Sequence, residues 1–102
     1  MSKLYVTYIS NTYSLKNSLE KQVYELLTKN NRIAIKPESL DSFKKSLIEK
    51  IESLNNENKR CKPVKATWFS HKKQYEVNRD DYSLSIPQGI CYFYIYEMNL
   101  TK

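Results

Sequence analysis

The spacing of apolar residues changes period along the chain, and that change decides the class of fold. Leu15, Leu19, Val23, Leu26 and Leu27 recur at intervals of three and four, and Phe43, Leu47, Ile48, Ile51 and Leu54 do so further on. Each set forms one stripe of an α-helix. Beyond Pro63 the interval falls to two. Val64, Ala66 and Trp68 alternate with Lys65, Thr67 and Phe69, and Cys91, Phe93 and Ile95 alternate with Tyr92, Tyr94 and Tyr96. That period belongs to strands with one buried face. Helices burying one stripe and strands burying one face can share a core, so the expected fold is α+β: two helices on one face of a mixed sheet of four to five strands.

Punctuating residues place the elements. Residues 3–9, β-branched and aromatic, read as a first strand, with polar turn chemistry in residues 10–14. Asn30 and Asn31 stop the first helix, and residues 32–36 read as a short second strand ended by Pro37. Residues 38–42 offer capping side chains to the second helix, which fades through residues 55–58. Residues 70–72 and 78–81 are expected to turn the chain on either side of a strand at 73–77, with another strand at 82–86. Pro87, Gln88 and Gly89 form the clearest turn and lead into the strongest strand, residues 90–98. The expected core is Leu4, Val6, Leu19, Val23, Leu26, Ile33, Ile35, Leu47, Ile51, Leu54, Val64, Trp68, Phe93 and Ile95.

A chain of 102 residues has room for one domain, here residues 1–102. An offset of 28 residues sets Leu15 on Phe43, Leu19 on Leu47, Val23 on Ile51 and Leu26 on Leu54, and sets Tyr5 and Val6 on Ile33 and Ala34. Strand-helix units at 3–30 and 31–58, followed by a β-rich segment at 62–98, are one reading of that match. The other is that any two amphipathic helices align in this way.

The scarce residues exclude chemistry. One Gly (Gly89), one His (His71) and two Cys (Cys61, Cys91) leave no Gly-rich phosphate loop, no His-containing zinc set and no disulfide framework. A hydrolase needs a nucleophile, a base and a charge-stabilising group, and His71 in an expected turn beside lysines supplies little of that. Asp80 and Asp81 read as turn residues rather than a carboxylate cluster, and a tyrosine-dependent nicking enzyme would want a His-x-His pair. We expect no enzyme, no cofactor and no metal. Cys61 and Cys91 read as thiols of a reducing compartment, with a bond between them as the alternative. No window approaches a membrane span, and the first residues lack a signal peptide's apolar run, so an intracellular protein is expected.

A net charge of +6 favours anionic or acidic partners, yet only three of seventeen cations are Arg, the side chain best suited to phosphate. The feature that points to recognition is the ladder Tyr92, Tyr94 and Tyr96. Tyr5 and Thr7 on the first strand and Lys65 and Thr67 on the third are expected to share its face. Exposed tyrosines bind partner chains or stack unpaired bases. Two functions follow: a protein- or peptide-binding module, able to self-associate and using either this face or a groove between the repeated units, or a binder of single-stranded nucleic acid. The alternative to both is that the rings are simply good strand residues half-buried under a neighbour.

In its opening Met-Ser-Lys-Leu-Tyr-Val-Thr-Tyr-Ile and closing Ile-Cys-Tyr-Phe-Tyr-Ile-Tyr, the chain resembles small orphan proteins of filamentous viruses infecting hyperthermophilic archaea. The resemblance implies a compact α+β protein of two similar motifs in the host cytoplasm, with no established catalytic activity and a suspected role in protein-protein contact. It carries over no functional residues. A thermophilic host would favour a Cys61–Cys91 bond.

Overall fold

A computed structural model describes residues 3–12, 15–72, 80–86 and 90–99. Strand β1 (Lys3–Thr12) leads to helix α1 (Ser18–Lys29) and the two-residue strand β2 (Ala34–Ile35). One turn of 3-10 helix (Pro37–Ser39) opens helix α2 (Leu40–Glu57), and strands β3 (Thr67–Lys72), β4 (Asp80–Ser85) and β5 (Cys91–Asn99) complete the fold. The expected strand at 73–77 and the turn at Pro87, Gln88 and Gly89 lie outside the described residues. Residues 70–72, expected to turn, continue β3, so His71 is a strand residue opposite Asp81. Asp80 and Asp81 likewise open a strand.

The sheet order is β2-β1-β5-β4-β3, and every pair is antiparallel, which corrects the expected mixed sheet. The reason is local: β1 and β2 are joined by a helix that reverses the chain instead of crossing over the sheet. Register then sorts side chains onto two faces. Tyr5 opposes Glu97, Thr7 opposes Ile95 and Ile9 opposes Phe93, while Leu84 opposes both Phe93 and Trp68. These residues point toward the helices, where Phe93, Leu84 and Cys91 form one core with Leu19, Val23 and Leu27 of α1 and Leu47 and Ile51 of α2. Both helices therefore cover the same face, as the stripes predict. Burying each large side chain there contributes about 1.5–3 kcal/mol.

Polar side chains fix how the helices meet the sheet. Asn17 caps α1 by accepting from the Glu20 N–H at 2.9 Å, and Glu20 accepts from the Lys16 N–H at 2.8 Å. Asn55 of α2 accepts from the Val64 N–H and donates to the Val64 carbonyl, both at 2.8 Å, replacing a strand partner for that segment. The Trp68 indole donates to the Lys44 carbonyl at 3.1 Å. At the far end of the β4-β5 ladder, Glu97 accepts from the Asp80 N–H at 2.8 Å and Asp81 from the Glu97 N–H at 3.1 Å. Lys3 meets the other Glu97 oxygen at 3.5 Å. These bonds account for two buried carboxylates that would otherwise be costly.

Eight expected core residues are fully interior: Leu19, Val23, Ile35, Leu47, Ile51, Val64, Phe93 and Ile95. Leu26, Leu54 and Trp68 are half-buried against them. Leu4 and Val6 are corrections, because the register of β1 turns them to the face opposite the helices. Ile33 is another: at 37% exposed it sits in the connection before β2. The preceding residue, Arg32, has φ +58°, a left-handed conformation that a non-glycine residue adopts at a cost, and the Arg32 N–H is held by the Thr7 carbonyl at 2.9 Å. The strand-helix order does recur, but the units differ in size, a ten-residue strand in one and a two-residue strand in the other.

Cys61 and Cys91 are separate thiols. Burial pushes the Cys91 thiol up to about 11, because the interior disfavours the thiolate. Cys91 is therefore neutral at pH 8 and gains reactivity only as the pH approaches that value. Titrating the native protein with a thiol reagent at pH 8 should consume one equivalent quickly, from half-buried Cys61, and a second only on unfolding. Two fast equivalents would contradict the placement of Cys91.

Candidate functional site

Because β5 is the middle strand, its outward side chains run down the centre of the sheet face turned away from the helices. They are Tyr92, Tyr94, Tyr96 and Met98. Strand alternation requires this arrangement once Phe93 and Ile95 are interior. The rings stack along the strand: Tyr92 and Tyr94 have centroids 6.1 Å apart with planes 20° apart, and Tyr94 and Tyr96 lie 5.6 Å and 17° apart. Tyr8 of β1 joins from the side, 5.4 Å from Tyr96 at 52°, and the Arg32 guanidinium sits 5.7 Å from the Tyr8 ring centre.

Register builds rows across the sheet. Tyr8 opposes Tyr94, Tyr94 opposes Ser83 and Ser83 opposes Phe69, so one row crosses four strands. Val6 opposes Tyr96, Leu4 opposes Met98 and Ser10 opposes Tyr92. Phe69 (51% exposed), Tyr92 (47%) and Met98 (42%) are three of the four exposed large hydrophobic residues among those described, and all lie at outward positions. The three share one face of the sheet rather than being scattered over the surface.

Of the residues expected to form the site, Tyr92, Tyr94 and Tyr96 are together, and Thr67 lies at the start of β3, exposed and opposite Ser85. Lys65 is exposed but precedes β3 by two positions. Tyr5 and Thr7 are corrections: they are 5% and 0% exposed, on the helix side. Tyr5 packs 6.2 Å from Tyr82 at a 55° tilt, and the Lys44 ammonium lies 3.9 Å from the centre of the Tyr82 ring. Burial, followed by the Glu97 carboxylate, holds the Tyr5 phenol above its ordinary range; burial, followed by Tyr5, does the same for Tyr82. The Thr7 hydroxyl donates to the Asn30 carbonyl and accepts from the Ile33 N–H at 2.8 Å, tying β1 to the end of α1. Both residues are structural.

Tyr8, Phe69, Val6, Leu4 and Met98 are the members of this face that sequence reasoning missed. Phe69 carried a usable signal, since it alternates in step with Thr67. The groove expected between the repeated units has a counterpart between α1 and α2, a shallow depression of about 360 Å³ floored by Leu26 and Leu54 and edged by Glu25, Lys29 and Lys50. Among the described residues, no three His, Cys, Asp or Glu side chains gather as a metal set, and no helix is long and apolar enough to cross a membrane.

No known protein family, curated protein or solved structure is significantly similar to this chain.

Proposed function

We propose that the chain is a non-enzymatic interaction module whose outward sheet face binds protein. The observation that carries this reading is the composition of that face. It combines a stacked tyrosine ladder with Phe69, Met98, Leu4 and Val6. Tyr, Phe and Met are the side chains enriched at protein contacts, where flat amphipathic rings bury much area at little entropic cost.

The same face argues against single-stranded nucleic acid. Stacking platforms for unpaired bases are bordered by cations that track the phosphates. The outward positions of β1, β3, β4 and β5 that oppose one another in these rows carry no Lys or Arg. The Arg32 guanidinium lies against the Tyr8 ring, at the side of the ladder. The lysines of α1 and α2 belong to elements on the other side of the sheet. The groove between α1 and α2 is a poorer protein site than the face, being edged by both signs of charge.

Changing Tyr92, Tyr94 and Tyr96 together to Ser should abolish capture of a protein partner while the far-UV circular dichroism stays unchanged. Unaltered capture by the triple variant would reject the face as the site. Labelled single-stranded DNA titrated at two salt concentrations provides the contrast, since phosphate neutralisation makes affinity fall steeply with salt. Tight, salt-sensitive binding there would overturn the protein reading.

A further inference from the structure

The two edges of the sheet are finished differently. On one side the rim of β1 is served as far as Ile9: Tyr5 and Val6 pair with β2, the Thr7 N–H and carbonyl meet Ile33 and Arg32, and the Ile9 N–H donates to the Asn31 side chain at 3.0 Å. On the other side β3 ends the sheet in unbroken register, Thr67 to Lys72 opposite Ser85 to Asp80. Among the described residues, no strand, loop or side chain is hydrogen-bonded to the outer rim of Thr67, Trp68, Phe69 or Ser70. Exposed rims are usually blunted by a proline or a bulge, and β3 carries neither.

Charge is concentrated at the same place. Residues 58–75 contain six Lys or Arg and no Asp or Glu, while the rest of the chain balances at eleven of each. The whole net charge of +6 therefore belongs to the segment that leads into β3 and runs through it. Lys62 and Lys65 are exposed just ahead of the strand, and among the described residues neither meets a carboxylate. The double bond of Asn55 to Val64 holds this approach against α2.

We infer that the β3 rim is a docking edge for an acidic, extended segment of another protein, which adds as a further strand. This contact uses the rim of the sheet and does not depend on the outward face. Alternate residues of a six-residue strand direct about three N–H and three C=O groups outward, and these supply affinity to any extended backbone. Charge then selects the strand, since opposite charges on neighbouring strands attract and like charges repel. A second copy fails that selection, because it brings its own lysines to the rim. Nucleic acid meets the charge but not the hydrogen bonds: phosphates only accept, whereas the rim alternates donors with acceptors. Phe69, 51% exposed beside the rim, offers an apolar neighbour to one side chain of the incoming strand.

Isothermal titration of the full chain with a capped ten-residue peptide, two Glu at each end of alternating Thr and Val, tests the inference. Binding tighter than ~1 mM is expected, and it should weaken as salt rises. Hydrogen exchange should show new protection on alternate amides of β3. Lys62→Glu combined with Lys65→Glu should weaken binding at least ~5-fold with an unchanged circular dichroism spectrum, whereas Lys21→Glu on α1 should not. The same peptide N-methylated throughout its Thr-Val core should not bind. No binding at low salt, equal binding of the N-methylated peptide, or displacement of the peptide by single-stranded DNA of equal charge would overturn the docking edge. The variant with Tyr92, Tyr94 and Tyr96 changed to Ser should bind the peptide as the wild type does. Loss of binding in that variant would move the contact to the outward face and overturn the rim, so each reading can fail without the other.

Discussion

Phe93→Ala is expected to lower the unfolding free energy by about 3–5 kcal/mol, the range for emptying an aromatic site in a packed core. Phe93 has no exposed surface, meets the Trp68 ring edge-on at 6.1 Å, and opposes Ile9 on one side and Leu84 on the other. It joins both helices to the middle of the sheet, so neighbouring side chains cannot collapse into the space without moving two layers at once. A domain of this size is stable by ~5–15 kcal/mol, so the loss is a large share of the total. Urea unfolding followed by circular dichroism measures it as a shift in midpoint at nearly constant slope. Tyr92→Ala, one residue away on the other face, should cost under ~1 kcal/mol in the monomer. Equal losses at the two positions would mean that the faces have been assigned wrongly.

The second large effect is expected at Thr7. Valine has nearly the shape of threonine but cannot serve the Asn30 carbonyl or the Ile33 N–H, both of which the Thr7 hydroxyl satisfies in a buried setting. Asn30 is half-buried and Ile33 37% exposed, so leaving their backbone groups unpaired puts the cost of Thr7→Val at about 1–3 kcal/mol. Thr7→Ser keeps the oxygen and loses one methyl, so it should cost only ~1 kcal/mol. Hydrogen exchange should show the Ile33 amide losing protection in the valine variant alone. A valine variant as stable as the serine variant would remove the hydroxyl from its tethering role.

The two substitutions also separate what the chain discloses from what only its folding decides. Phe93 is legible: a strict two-residue alternation beside two helical stripes forces one row of β5 inward, and the row with Phe and Ile is the more apolar. The orientation of the tyrosine ladder follows from the same fact. Thr7 is not legible, because β1 has hydrophobic or aromatic side chains on both sides and alternation alone leaves its phase open. Choosing the aliphatic set, Leu4 and Val6, as interior is reasonable by transfer free energy, but register against β5 outweighs it. Once Ile9 faces Phe93, Tyr5 and Thr7 must follow it inward. The buried hydroxyl bonds of Thr7 join residues more than twenty positions apart, which no local pattern reports. Residues 70–72 differ from the expected turn for a simpler reason, since polar residues on an edge strand have the composition of a turn.

The neighbours at the heart of the sheet, β1 and β5, are the first and last strands described, with Thr12 opposite Cys91. Zipping that ladder means closing a loop of about eighty residues, and chains dominated by such distant pairings fold slowly for their size. Helix α1 and the β3-β4 hairpin involve shorter separations and can form early, but neither has a complete surface to rest on until the central strand arrives. Topology therefore predicts slow folding for a chain of this size, with the β1-β5 ladder that carries the tyrosines among the contacts of longest loop closure.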